Sequence, residues 1–204
     1  MWVVKLGGSL AGEAQLLGWL RALSPLPVVI VPGGGPFADS VRQAQARWHF
    51  GDQTAHDMAI LAMQQYGHML ADLGGHLPTF SRIHASCQPS GNATVWLPCP
   101  ADLKAIPPSW DITSDSLAAW LAGKLDATDL LLVKATLRGS RNEWGYEATT
   151  DMALLKLNGL IDAAFPEYAR SIRSRCWLGG IDQYLNLAAS LTVPEPVFLR
   201  ATAG

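Results

Sequence analysis

Val28-Val29-Ile30-Val31-Pro32-Gly33-Gly34-Gly35-Pro36 is the stretch that decides the fold of this chain. Four consecutive β-branched residues with no polar alternation fit a strand buried on both faces, the kind that parallel sheets use. A proline and three glycines then stop the strand, and helical patterning resumes from Phe37 to Trp48. The same order occurs just upstream. Trp2-Val3-Val4-Lys5-Leu6 reads as a buried strand and Gly7-Gly8 breaks it. Leu10 through Leu23 then carries Leu16, Leu17, Leu20 and Leu23 at helical spacing.

Moving outward, a longer helix is expected from Thr54 to Leu73, with Asp52 near its start as a capping candidate. Gly74 to Ser109 is proline-rich and irregular, with a short strand at Val95-Trp96-Leu97. A helix follows from Ser114 to Leu125, then a strand at Leu130-Leu131-Leu132-Val133 and a polar loop from Arg138 to Gly145. Helical segments are expected near 150–158 and 165–173, and a strand at Cys176-Trp177-Leu178. Gly179-Gly180 is read as opening a last helix, and Val197-Phe198-Leu199 as a final strand. This alternation predicts an α/β fold: a three-layer sandwich with a mostly parallel central sheet, in one domain spanning 1–204.

The 204 residues are 49% hydrophobic and only 16% charged, with 15 Lys plus Arg against 17 Asp plus Glu. A balance this close to neutral argues against nucleic acid or an anionic membrane surface as partner, while leaving room for a local basic pocket. No apolar run is long enough to span a membrane uninterrupted, and Met1 leads straight into a strand pattern rather than a secretory signal. The 3 cysteines, Cys87, Cys99 and Cys176, are widely spaced and fit packed thiols in a reducing cytoplasm better than a disulfide framework. The apolar excess, with 8 tryptophans, points to a buried sheet and a subunit interface, hence a homo-oligomer.

Ligands of open α/β sheets gather at the carboxyl ends of strands. Lys5-Leu6-Gly7-Gly8-Ser9 and Gly33-Gly34-Gly35 are both strand-to-helix turns, where backbone N–H groups and a helix N-terminus suit an anion such as phosphate. Neither has the spacing of a P-loop or of a dinucleotide fingerprint. Lys5 closes its strand immediately before the glycines, and Lys134 in Val133-Lys134-Ala135-Thr136 closes another. Trp110-Asp111-Ile112-Thr113-Ser114-Asp115-Ser116-Leu117 is a third polar cluster, in which Thr113, Ser114 or Asp115 would cap the following helix. His49, His56, His68, His76 and His84 lack the spacing of a metal set, so no protein metal site is expected.

Together these four elements, KLGGSL at 5–10, VPGGGPFA at 31–38, DITSDSLAAWLA at 111–122 and VKAT at 133–136, resemble the amino acid kinase superfamily over essentially the whole chain. ITSDSL at 112–117, and Asp162-Ala163-Ala164-Phe165-Pro166 before the Cys176–Gly180 segment, resemble the branch that phosphorylates an aminomethylfuran phosphate in methanofuran biosynthesis. The resemblance implies transfer of the γ-phosphoryl group of Mg-ATP to a phosphate or carboxylate acceptor. Little or no general base is then needed.

Carried over to this chain, Lys5 would stabilise the transferring group, and Gly7, Gly8 and Ser9 would give amides to the ATP phosphates. Lys134 and Thr136 would serve the nucleotide side, and Asp115 would orient Lys5 and Lys134. Gly33, Gly34 and Gly35 would hold the acceptor across from the first turn, with Asp111, Thr113 and Ser114 hydrogen-bonding nearby. Acceptor identity would be set by residues 37–57, where Phe37, Arg42, Trp48, His49, His56 and Asp57 are candidates. For a phosphorylated amine, Asp57 would meet the ammonium and His56 or Arg42 the phosphate, with Trp110 lining the pocket. Here Leu137-Arg138-Gly139 replaces the VDG-type turn of many relatives. Alternative readings are a uridylate kinase and a non-catalytic nucleotide-binding protein; the second would be expected to lack the charged centre of Lys5 and Asp115.

Overall fold

The computed structural model describes residues 1–83, 89, 91–195 and 197–203; the expectations for His84 and Cys87 fall outside these. The strands are β1 (Trp2–Leu6), β2 (Val28–Pro32), β3 (Thr79–Phe80), β4 (Thr94–Trp96), β5 (Asp129–Lys134), β6 (Thr149–Asp151), β7 (Arg175–Gly180) and β8 (Leu199–Thr202). They form one 8-stranded sheet in the order β3-β4-β2-β1-β5-β7-β8-β6. Every pairing is parallel except β7 with β8, which is antiparallel. The helices are α1 (Gln15–Leu23), α2 (Gly35–Trp48), α3 (Asp52–Leu73), α4 (Ser114–Lys124), α5 (Met152–Leu157), α6 (Phe165–Arg170) and α7 (Leu187–Thr192).

Alternate residues of the central strands feed two separate cores, which explains why these strands are apolar without interruption. Val3, Val29, Val31, Leu130, Leu132 and Leu178 join the core that contains α4 and α6 residues such as Leu117, Leu121 and Phe165. Val4, Leu6, Ile30, Leu131, Val133 and Trp177 join the opposite core with Trp19 and Leu20 of α1 and Leu187 of α7. α4 is buried nearly all round, Ser114 through Ala119 included, so its polar first turn sits inside the molecule. No helix among the described residues is long and apolar enough to cross a membrane.

Three expectations are corrected. The segment expected as one helix from Leu10 to Leu23 is a 3-10 turn at Gly8–Gly12 followed by α1. Leu10 drops fully into the core there, and Gly12 offers no side chain to continue a helical face. Gly179-Gly180 does not open a helix: both residues continue β7 in register with Val133 and Lys134, and α7 begins only at Leu187. Finally, the last strand runs Leu199–Thr202 rather than 197–199, antiparallel to β7, with β6 added at its far side.

Candidate active site

β1 and β5 are parallel neighbours, with Lys5 opposite Leu132 and Leu6 opposite Val133. Lys5, one residue before the end of β1, and Lys134, the last residue of β5, therefore both lie at the carboxyl end of the sheet. Asp115, in the first turn of α4, lies between them. Lys5 Nζ is 2.8 Å from Asp115 Oδ1 and Lys134 Nζ is 2.6 Å from Asp115 Oδ2. The three side chains are 8%, 12% and 5% exposed for Lys5, Lys134 and Asp115. Burial alone would push the Asp115 carboxyl up; Lys134 and Lys5 outweigh it and hold the group well below the ordinary carboxylate range. The Lys134 pKa is lowered as well, to about 8, because burial and the Lys5 charge outweigh the attraction of Asp115. Two buried ammonium groups share one carboxylate, so the trio attracts a further anion.

Asp162 completes the centre. Its backbone N–H donates to Asp115 Oδ2 at 3.3 Å. Its carboxylate accepts from Thr113 N at 2.9 Å, Thr113 Oγ1 at 2.8 Å, Ser116 N at 3.0 Å, Ser116 Oγ and Phe165 N at 2.8 Å. α4 is thus capped from across the chain: Thr113 occupies the N-cap position but makes no side-chain cap bond of its own. This frees Asp115 for the lysines.

The two glycine turns are in backbone contact. Gly33 N donates to Leu6 O at 2.8 Å, and a Cβ on Gly8 or Gly33 would collide with the backbone nitrogen of Gly35 or Gly8 respectively. Gly35 itself has φ +57°, a conformation that favours glycine. α2 starts there with no side-chain cap and with Pro36 in its first turn, so its N-terminal amides face a cavity of about 320 Å³. The lining runs from Gly8, Ser9, Gly34 and Gly35 past Asp39 and Arg42 of α2, then Asp52, His56 and Met63 of α3, to Trp110, Thr113 and Ser114. Trp110 is fixed over α2: Arg42 lies 3.9 Å from its ring centroid and its Nε1 donates to Gln45 Oε1 at 2.7 Å. His56 Nε2 is buried without a hydrogen-bond partner, and burial, against a smaller opposing effect of Asp57, lowers the imidazole pKa.

Among the residues expected from the sequence, the structure gathers Lys5, Asp115 and Lys134 into one centre, and places Gly8, Ser9, Gly34, Gly35, Thr113, Ser114 and His56 around the adjoining cavity. Gly7 and Gly33 belong to the turns but do not line the cavity. Asp57 lies off the lining and accepts from Gln53 on its own helix at 3.1 Å. Asp111 is exposed and also off the lining, as are Thr136, just past β5, and Trp48 and His49 at the end of α2. The turns touch rather than standing apart across a reaction space.

Asp162, Asp39 and the cavity role of Asp52 were not among the expected site residues. Asp162 had one visible sign, the Asp-x-x-Phe-Pro spacing of a helix start, but its principal partners lie 46 residues or more away. Among the described residues no group of three or more His, Cys, Asp or Glu converges as a metal site. Cys99 and Cys176 are free thiols, and burial pushes the Cys176 thiol up to about 12.

The other end of the sheet edge is closed by the loop after β5. Arg138 pairs with Glu13 at 2.7 Å, Gly139 N donates to Asp182 at 3.1 Å, and Trp144 Nε1 donates to Arg138 O at 2.9 Å. A Cβ on Gly180 would stand 2.6 Å from both Leu137 O and the Trp144 ring, so this loop packs directly on the end of β7.

The model of the amino acid kinase family matches residues 1–136, and the chain belongs to that family. It is 28% identical over 142 residues to the [5-(aminomethyl)furan-3-yl]methyl phosphate kinase of Methanocaldococcus jannaschii, a match covering 65% of this chain and 64% of that one. The chain thus spans somewhat under two thirds of that relative's length. Its fold is similar to UMP kinase from Bacillus anthracis, with TM-score 0.71, 15% identity and coverage of 98% and 95% of the two chains. UMP kinase from Ureaplasma parvum gives 0.68, 14% and 98% of each chain. Aspartate kinase from Synechocystis gives 0.64 and 15%, over 100% of this chain and 40% of that one. At these identities the structural likeness is one of fold.

Proposed function

We propose that this chain transfers the γ-phosphoryl group of ATP to a small acceptor that already bears a phosphate, an aminomethylfuran phosphate in methanofuran-type cofactor synthesis. The observation that carries the reading is the buried pair Lys5 and Lys134 converging on Asp115 at the carboxyl ends of β1 and β5. Phosphoryl transfer between two anions asks the protein chiefly to position both and to neutralise charge on the moving group. Lys5 follows the transferring phosphoryl, Lys134 meets the nucleotide phosphates, and Asp115 fixes both ammonium groups in place. Gly7, Gly8 and Ser9 serve the ATP phosphates, with Thr136 past the end of β5 on the same side. Gly33, Gly34, Gly35, Thr113, Ser114 and His56 serve the acceptor, while Asp57 and Asp111 lie off the cavity lining. Family membership and the Methanocaldococcus jannaschii relative support the kinase reading and the furan acceptor.

Asp115 is engaged by two lysines and Asp162 by Thr113, Ser116 and Phe165, so both carboxylates of the centre are already engaged. Mg2+ fits this donor set as an ion held by the triphosphate itself, where it would offset phosphate charge. The test is ADP release with aminomethylfuran phosphate and with UMP as competing acceptors. Turnover with the furan phosphate alone is expected; turnover with UMP alone would replace the acceptor, and ATP binding without transfer to either would leave a nucleotide-binding protein. The apolar excess of the sequence, 49% hydrophobic with 8 tryptophans, goes with a homo-oligomer. A strictly monomeric mass in solution would contradict that, and a cytoplasmic location goes with the same reading.

A further inference from the structure

The acceptor cavity is electrically divided. At its inner end lie the α2 N-terminus and the glycine turns, beside the centre formed by Lys5 and Lys134, all favouring an anion. Farther out, α2 and α3 each present one acid and one base: Asp39 and Arg42 from α2, Asp52 and His56 from α3. The acids outnumber the charged bases. Arg42 keeps its charge but lies over the Trp110 ring, and His56 is held toward its neutral form by burial against a smaller opposing effect of Asp57, so this outer set carries one net negative charge. Asp52 gives one oxygen to Gln45 Nε2 at 2.9 Å, whereas Asp39 is exposed on the lining.

Position along α2 gives the order. At 1.5 Å per residue Asp39 stands about 6 Å beyond Gly35, and Gln45, which marks Asp52, about 15 Å beyond it. A ligand that fills this space with its phosphate at the glycine turns therefore brings its other end to Asp39 first, with Asp52 behind. The intervening wall is apolar and aromatic: Ile60, Met63, Leu117, Ile112 and the Trp110 face.

We propose that Asp39, backed by Asp52, reads a positively charged group at the end of the acceptor remote from its phosphate, so that the site selects a dipolar molecule with a flat apolar body. This rests on the acceptor side of the phosphotransfer reading above and adds the residues that discriminate within it. Asp57, which the sequence offered for the ammonium, turns to Gln53 instead.

The test uses two furan-3-ylmethyl phosphates that differ only at position 5, one aminomethyl and one hydroxymethyl, titrated calorimetrically into the intact protein and its Asp39→Asn and Asp52→Asn variants. Both substitutions are isosteric and at exposed positions, and circular dichroism checks the fold of each. Wild type is expected to prefer the aminomethyl compound about fivefold, as one exposed charge pair of roughly 1 kcal/mol allows. Asp39→Asn should abolish most of that preference and Asp52→Asn a smaller part, with hydroxymethyl binding changed less than twofold. Equal binding of the two compounds by wild type, binding of neither, or a preference that survives both variants overturns the proposal. ADP release is read separately: selective binding without turnover contradicts the phosphotransfer reading alone, and turnover without selectivity contradicts only the cation-reading acids.

Discussion

The two halves of the sheet are built on different principles. From β4 through β1 the working parts are local: a buried strand, a glycine turn and a helix, twice over, joined by the Gly33 N to Leu6 O bond and the close approach of Gly8, Gly33 and Gly35. From β5 to β6 the working parts are held by side chains that reach across the chain. Asp162 caps α4, Asp129 binds Arg175 at 2.7 Å and Trp177 Nε1 at 2.9 Å, Asp182 joins Gln15 to Gly139, and Glu13 holds Arg138. Asp115 and its two lysines sit on the seam. The local half tolerates little change at a few backbone positions, whereas the other half depends on individual carboxylates.

The largest effect should come from cutting the seam. Asp115→Ala leaves Lys5 and Lys134 buried without a counter-charge, and breaking such a group costs about 3–5 kcal/mol. A fall of this size in ΔG of urea unfolding, with phosphoryl transfer lost, is expected; a loss under 1 kcal/mol would mean water compensates the lysines. Next comes the local half. Gly8→Ala drives a methyl into the Gly35 backbone, while Gly12→Ala meets nothing within 4 Å. The first should destabilise by about 1–3 kcal/mol, as overpacking does. The second should change stability by no more than about 0.5 kcal/mol, both read as urea midpoints, and equal midpoints would dissolve the contrast.

In the cross-chain half, Asp162→Asn keeps the shape but weakens a charge-assisted cap and should cost about 1–2 kcal/mol. Its distinguishing readout is amide exchange, which should rise at Ser116 while β1 and β2 stay protected; uniform exchange throughout would show that α4 does not depend on this cap.

The smallest effect is one of pH. Lys134 has a folded pKa of about 8, below its ordinary value, with burial the leading cause. Between pH 8 and the ordinary lysine range the unfolded chain binds the extra proton, so this group adds stability as pH rises there. Asp115 has the same sign in a lower pH window. Its folded pKa is depressed, so its contribution is full above the ordinary carboxylate range and is lost as pH falls through the lowered value. Activity should follow the Lys134 charge: kcat/KM declines above about pH 8, and Lys134→Met abolishes that limb. A high-pH limb that persists in Lys134→Met would assign it elsewhere.

The difference between the halves also explains what could be read in the sequence. β1, β2 and β5 are runs of β-branched and leucine residues closed by glycine or lysine, so their ends and the placement of Lys5 and Lys134 followed from local pattern. β3 and β6 are two and three residues long and carry mostly polar side chains, so no periodicity marks them. Their strand character comes from the neighbour they pair with. Gly179 and Gly180 looked like a turn because glycine usually is one. They stay in β7 because Phe198, Leu137 and Trp144 approach too closely for a side chain. Asp57 adjoins His56 in sequence but lies off the lining that His56 joins: consecutive residues on a helix do not share a face. Asp39 and Arg42, three apart on α2, do.

The most direct test of the central claim is Lys5→Met, read as ATP binding and as ADP release with acceptor present. If the buried lysines neutralise the moving phosphoryl group, release should fall at least about a hundredfold, while the ATP Kd changes less than about fivefold because Lys134 and the glycine turn remain. Undiminished release in a folded Lys5→Met protein would contradict the account.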